Sequence, residues 1–138
     1  MKTMLHFTAA GLLVLLAVPV THAQTTKMLR ANIPFDFAAG SKTIESGSCE
    51  IDISYPPVAL VRCHGGQDAS YVLTNFVSTL TAPAASKLVF HRYGDRYFLS
   101  QVWIAGDPAG RELFRSAKER RLVQTATART TVVLIAKR

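Results

Sequence analysis

The sequence predicts a mainly β protein, an antiparallel sandwich or small barrel of about seven strands with one short C-terminal helix. Short runs in which apolar and polar residues alternate are typical of half-buried strands. Turn residues separate these runs at short intervals, as they do in sandwiches and barrels. The chain has 138 residues and no internal repeat. Its length therefore indicates one domain after any leader is removed.

The N-terminus predicts a secretory signal peptide over residues 1–23. Lys2 supplies a basic start, residues 9–18 form a short apolar run, and Ala23 ends a small-residue cleavage site. The apolar run is too short for a comfortable membrane span, and a retained anchor is the alternative. Residues 24–138 would then be a single β-rich domain. We expect an exported protein, periplasmic or extracellular, without a transmembrane segment in the mature chain.

The charge balance is basic. Sixteen Lys and Arg residues against nine Asp and Glu give a net charge of +7, which becomes 15 − 9 = +6 when Lys2 is removed. Such a charge suits anionic lipid head groups or wall polymers. The expected partner is an envelope component or a small ligand, with no nucleic acid, and the oligomeric state stays open. Residues 111–121 hold much of the charge, which indicates a solvated face.

The first strand after the leader is predicted over residues 29–37, where apolar and polar side chains alternate. Pro34 places it near an edge or a bulge, because proline has no backbone N–H to donate. A turn at Gly40 and a brief extended piece over residues 42–45 follow. A later strand is expected over residues 70–77.

Residues 48–55 and 58–64 predict a hairpin around a Tyr-Pro-Pro loop. Its register places Cys49 opposite Cys63, which makes a disulfide geometrically possible. In an exported domain we favour a structural bridge over two free thiols. A bridge closing a loop of this size stabilises the fold by about 3 kcal/mol. A redox role is disfavoured, because the chain lacks Cys-X-X-Cys spacing.

A long β-hairpin over residues 87–103 is the central feature of the sequence. Gly94-Asp95 separates two aromatic-rich runs, and glycine at the first central position favours a type II′ turn. The register follows from the turn. Two cross-strand pairs beside it are predicted to make cation–π contacts: Arg92 with Tyr97, and Tyr93 with Arg96.

This register places Arg92, Tyr97 and Trp103 on one face and His91 on the other. An arginine on a mostly apolar face needs a partner: Asp36, a neighbouring ring, or the head group of an anionic ligand. A small barrel that carries an amphipathic anionic ligand is therefore the alternative function. Its candidate ligand-binding residues are Arg92, His91, Tyr97 and Trp103.

The C-terminal third predicts one helix and one strand. Ser116 and Glu119 match a capping box, so we expect a helix over residues 117–124 after an extended segment. A helix that starts at Pro108 is the rival interpretation. Residues 129–136 are rich in β-branched side chains and predict a last strand. Their nearly continuous apolarity suggests burial on both faces.

Four stretches of this chain carry a resemblance: residues 30–37 (RANIPFDF) with Gly40, 73–75 (LTN), 87–99 (KLVFHRYGDRYFL), and 110–113 (GREL) with Ser116 and Glu119. Together they resemble a family of small exported bacterial proteins of uncharacterised function. The resemblance implies a secreted β-rich domain and transfers no activity, substrate or catalytic residue. The chain departs from the family pattern at residues 46–50, where Ser-Gly-Ser-Cys-Glu replaces a Pro-Ala-Gly-like turn, so the cysteine pair is a local addition.

Catalytic chemistry finds little support in the sequence. A hydrolase would use His91 beside Ser100, but Asp95 at the turn is too exposed to orient the ring, and no Gly-X-Ser-X-Gly elbow exists. Cys63 and His64 point to opposite faces of a strand, so they do not share a metal ion. We expect no catalytic residue, no metal and no cofactor. The leading hypothesis is a non-enzymatic binding or interaction module of the cell envelope.

Overall fold

A computed structural model describes residues 19, 25–125 and 129–137. The predicted signal peptide lies outside the described residues, except for Pro19. The described residues form ten strands, a short 3-10 turn at His64–Gly66 and one α-helix. The elements are β1 (Met28–Ile33), β2 (Phe37–Ala39), β3 (Lys42–Ile44), β4 (Gly47–Asp52), β5 (Val58–Cys63), β6 (Asp68–Ser78), β7 (Lys87–Tyr93), β8 (Arg96–Trp103), β9 (Ala109–Leu113), α1 (Ala117–Thr125) and β10 (Thr130–Ile135).

The strands follow the order β1-β4-β5-β6-β9-β8-β2-β3, while β8 also pairs with β7 and β7 with β10. Only the β2–β8 contact is parallel among the described pairs. The long strand β6 joins two halves, because residues 68–73 pair with β5 and residues 74–78 pair with β9. The mainly β prediction is therefore confirmed, and the architecture is sandwich-like. Within the described residues, no helix is long and apolar enough to cross a membrane.

The small-barrel alternative is wrong. Followed from β8 through β7, the sheet runs from β1 to β10, and a closed barrel needs a continuous ladder between these two strands. Here a single bridge joins Arg30 to Lys137, with N···O distances of 2.7 and 2.8 Å. The two ends of the sheet meet at one point, and the architecture is not a closed barrel.

One core fills the space between the two halves. It consists of inward-facing side chains from nearly every strand, which accounts for the alternating burial along β4 and β5. Removing this much apolar surface from water is the main stabilising contribution to such a fold. The largest fully buried side chains are Phe37, Phe90, Leu29, Ile33, Ile44, Ile51, Leu88, Val61, Val102, Cys49 and Cys63.

Two boundaries differ from the sequence prediction. The strand expected over residues 29–37 is interrupted, because β1 ends at Ile33 immediately before Pro34 and Phe37 opens β2. The helix start at Pro108 is wrong, since the following residues form β9 and pair with β6. The helix begins instead at Ala117, as the capping box predicted, and the Glu119 N–H donates to Ser116 Oγ at 3.2 Å.

The last strand is not buried on both faces. Val132 and Leu134 pack against the core, whereas Val133 and Ile135 are 50% and 69% exposed. Among the described strands β10 pairs only with β7. One side of its backbone and one of its faces are therefore uncovered, which an apolar sequence pattern alone cannot reveal.

The cysteine hairpin forms as predicted. Cys49 pairs directly with Cys63 in the β4–β5 ladder, and the two sulfurs form a disulfide. The remaining pairs of the ladder, from Glu50 with Arg62 to Asp52 with Leu60, follow the same register. This confirms both the bridge and the pairing that it required.

The central hairpin is confirmed beside its turn and changes beyond it. Gly94 has a φ of 63°, which a type II′ turn requires at this position, and the four predicted pairs from Tyr93 to Phe90 form. A bulge between Val89 and Phe90 then shifts the ladder, so that Leu88 pairs with Val102. A one-residue shift reverses the face on which the later side chains of β8 lie. Trp103 was predicted to share a face with Arg92, and it lies on the opposite face instead.

Candidate functional site

Arg92 is satisfied locally at the hairpin turn. Its Nε donates to the Gly94 carbonyl at 2.6 Å, and its guanidinium carbon lies 5.3 Å from the Tyr97 ring centroid. Tyr97 in turn stacks on Phe35 at a centroid distance of 3.8 Å. Of the three partners considered for Arg92, the neighbouring ring is the one observed. The cation–π prediction for this pair is confirmed, whereas the Tyr93 ring is buried and lies edge-on against Phe98.

Trp103 belongs to a different environment. Its side chain is buried, and its indole Nε1–H donates to Gln101 Oε1 at 3.0 Å. The ring lies directly over Gly110 of β9, where an added Cβ would come within 2.7 Å of it. The Lys87 ammonium group lies 5.8 Å from the ring centroid. The structure therefore brings Arg92 and Tyr97 together, but it does not add Trp103 to that pair.

His91 takes part in a buried polar cluster with Tyr93 and Glu119. The Glu119 carboxylate is 5% exposed, and its Oε1 lies 3.2 Å from both His91 Nδ1 and the Tyr93 hydroxyl. Burial and the nearby Glu119 charge raise the pKa of Tyr93, so its hydroxyl remains protonated and donates. Among the described residues, no hydrogen bond joins His91 to Ser100.

The hydrogen bonds of this cluster join α1 to β7. The sequence did not predict these contacts. Glu119 was expected to reach back to the start of the helix within a capping box. Its backbone does bind Ser116, yet its carboxylate bonds to strand residues 26 and 28 positions earlier. The capping motif was therefore the available signal, but it could not reveal the partner of the carboxylate.

An exposed apolar surface crosses three strands on the outer face of the molecule; we term it the outer patch. Val58 pairs with Leu73 and Leu60 pairs with Tyr71, while the Phe114 N–H donates to the Leu73 carbonyl at 3.0 Å. Inward neighbours of these residues form the core, so their own side chains point outwards. Tyr71, Leu73 and Phe114 are 76%, 53% and 49% exposed.

Two exposed arginines follow the outer patch in the chain. Arg115 follows Phe114 directly, and Arg120 donates from Nη1 to the Arg115 carbonyl at 2.8 Å. Both side chains are exposed, and neither forms an ion pair within the described residues. The solvated basic face predicted for residues 111–121 thus holds for these two arginines. Arg111 contradicts it, because it is only 5% exposed.

The described residues contain no group of three or more His, Cys, Asp or Glu side chains that could hold a metal ion. No protein-family model, curated protein or solved structure matches this chain. The family resemblance seen in the sequence motifs stays a prediction. The outer patch and the arginines next to it are the candidate functional surface.

Proposed function

We propose that this protein is an exported, non-enzymatic binding module that docks onto the anionic lipid surface of the cell envelope. The observation that supports this most directly is the outer patch, an exposed apolar row next to two exposed arginines that form no ion pair within the described part of the chain. Exposed aromatic and leucine side chains beside cations suit an anionic membrane interface. The Cys49–Cys63 disulfide is compatible with an oxidising compartment outside the cytoplasm.

The expected energies fit reversible docking. Full burial of an apolar side chain such as Leu73 or Phe114 contributes roughly 1.5–3 kcal/mol. An arginine near an anionic surface adds about 1 kcal/mol, and salt screens that contribution. Neither contribution alone gives stable attachment. Together they favour a bound state that depends on both the apolar residues and the charge of the lipid.

Vesicle co-sedimentation of the natively purified protein tests the proposal. We expect binding to vesicles of phosphatidylcholine mixed with phosphatidylglycerol, weaker binding at high salt, and little binding to phosphatidylcholine alone. The double variant Leu73→Ser with Phe114→Ser should bind roughly tenfold less or weaker still, because it loses its apolar contact. The matched control is Val133→Ser with Ile135→Ser, which removes comparably exposed residues from β10.

Three outcomes would contradict the proposal. The first is an absence of binding to either vesicle type. The second is an equal loss in the control variant, which would show that exposed apolar side chains matter irrespective of place. The third is binding of a protein partner through the outer patch without binding to vesicles. That result would make a protein, and not a lipid surface, the partner of the outer patch.

A further inference from the structure

Arg111 is a nearly buried cation on the inward face of the sheet. It lies two residues before Leu113, a core residue of the same strand, so the two side chains share a face. Its register partners are Val102 on β8 and Phe76 on β6. Val102 is fully buried, whereas Phe76 is 70% exposed. Arg111 therefore lies where the interior opens to solvent.

The guanidinium group of Arg111 has an aromatic contact but no anionic partner. Its central carbon lies 3.5 Å from the Phe76 ring centroid. Within the described residues it forms no ion pair and donates no side-chain hydrogen bond, although its side chain is more than nine-tenths buried. Burial lowers the pKa of Arg111, since desolvation disfavours the charged form. Within the described residues Arg62 Nε is the fully buried side-chain polar atom without a hydrogen-bond partner, so the Arg111 nitrogens remain accessible to solvent and to an anion.

A cavity of about 140 Å³ opens beside this guanidinium group. Its apolar lining includes Phe76, Ile53 and Pro56, and three polar residues besides Arg111 also line it: Thr25, Lys27 and Ser54. This volume holds the oxyanion and the first few carbon atoms of a ligand, since a water molecule in the liquid takes up roughly 30 Å³, and a longer apolar chain would extend along the exposed Phe76 ring. Apolar side chains and a cation line the same cavity, and this combination favours an amphipathic ligand over an inorganic ion.

Lys27 and Ser54 differ in what they offer an anion. Lys27 forms an ion pair with Asp107 at 2.9 Å, so its charge is already balanced. Ser54 Oγ accepts a hydrogen bond from the Lys27 backbone N–H at 2.8 Å, which leaves its own O–H free to donate. Among the described residues that line the cavity, Arg111 is therefore the cation without an ion pair, and Ser54 is a second donor for an oxyanion.

We propose that this cavity binds a small amphipathic anion, with its carboxylate or phosphate on Arg111 and Ser54 and its apolar part against Phe76, Ile53 and Pro56. The planar guanidinium presents a fork of N–H donors that matches either oxyanion. The site is independent of the outer patch, which lies on the opposite face of the sheet. It also replaces Arg92, which is exposed and bonded at its turn, as the arginine that meets an anionic head group.

Isothermal titration of the natively purified protein with soluble probes tests the site without any vesicle. Octanoate should bind more tightly than acetate, because the apolar wall contacts its chain, and octylammonium should not bind. Inorganic phosphate is the second anionic probe, and its affinity relative to acetate tells a phosphate-preferring site from a carboxylate-preferring one. Arg111→Met should weaken octanoate binding roughly tenfold or more. The control Arg92→Met removes an arginine that also lies over a ring, and it should leave binding unchanged.

The stability of the free variant separates a ligand site from a structural contact. Arg111→Met replaces a largely buried cation, which has no ion pair within the described residues, with an apolar side chain of similar length, so its thermal midpoint should equal or exceed that of the wild type. A lower midpoint together with unchanged octanoate affinity would overturn the inference, as would a wild type that binds neither octanoate nor phosphate. If Arg111→Met does not fold, Arg111→Lys and NMR of the Arg111 Nε–H take its place. An unshifted Nε–H signal at saturating octanoate would then refute the site.

Discussion

The two hairpins of this protein hold their registers by different means. In the β4–β5 hairpin a disulfide joins the directly opposed residues Cys49 and Cys63. The β7–β8 hairpin has no covalent link, carries a bulge, and is tied to α1 through the buried carboxylate of Glu119. A covalent bond between opposed residues fixes the pairing by itself. Without one, the register follows from how both faces of the hairpin pack.

Removal of the disulfide is expected to have the largest effect. The bridge closes a loop with a sequence separation of 14 residues. Replacing both cysteines with alanine should lower the free energy of unfolding by about 3 kcal/mol, because the unfolded chain regains loop entropy. Urea unfolding of the wild type and of the double variant gives this difference. A change well below about 1 kcal/mol would show that strand pairing alone holds this hairpin.

Loss of the Glu119 carboxylate should produce the next largest effect, on the other hairpin. Glu119→Ala leaves His91 Nδ1–H and the Tyr93 hydroxyl without their buried acceptor. This should lower the free energy of unfolding by about 1–3 kcal/mol. Glu119→Gln should lower the free energy of unfolding by less, because its amide oxygen can still accept a hydrogen bond. Urea unfolding measures both variants. The control Lys118→Ala lies on the exposed side of α1 and should change stability by no more than about 0.5 kcal/mol. Equal losses in the two alanine variants would mean that the cluster does not stabilise the helix.

The smallest effect concerns His64, which follows the disulfide hairpin. Its Nδ1 lies 2.9 Å from Asp68 Oδ2 and its Nε2 lies 3.0 Å from the Ser46 carbonyl oxygen. Both partners only accept, so the imidazolium satisfies both while the neutral ring satisfies one. The Ser46 carbonyl and then the Asp68 carboxylate raise the pKa of His64 above its ordinary value of 6.5.

The sign of the resulting pH dependence follows from linkage. Because the folded state raises the pKa of His64, its contribution to stability is fully present below the unfolded value and is lost as pH rises through the folded value. The stability difference between the wild type and His64→Gln should therefore be larger at about pH 5 than at about pH 8.5. Unfolding measurements at both pH values provide the test. A difference that grows with pH would contradict the assigned hydrogen bonds.

Local patterns predicted the parts of the fold that depend on a few neighbouring residues. Gly94 specified the tight turn and the pairs beside it, and Ser116 specified the start of α1, because both act within one turn of chain. The bulge at Phe90 was not predictable in the same way. The bulge decides which side chains of β8 face the core, and this choice depends on how the whole sheet packs.

The sequence by itself determined the β-rich class and the cysteine register, and it reduced the helix start to Ala117 or Pro108, since strand alternation, turn residues and caps are short-range effects. Only the tertiary structure decided which charges are buried. Arg92 and Arg111 both lie over aromatic rings, yet one is exposed at a turn and the other faces the interior beside a cavity. Their different surroundings arise from strands far apart in the chain. Desolvation depends on everything that packs around a group, so the candidate anion site became visible only in the folded protein.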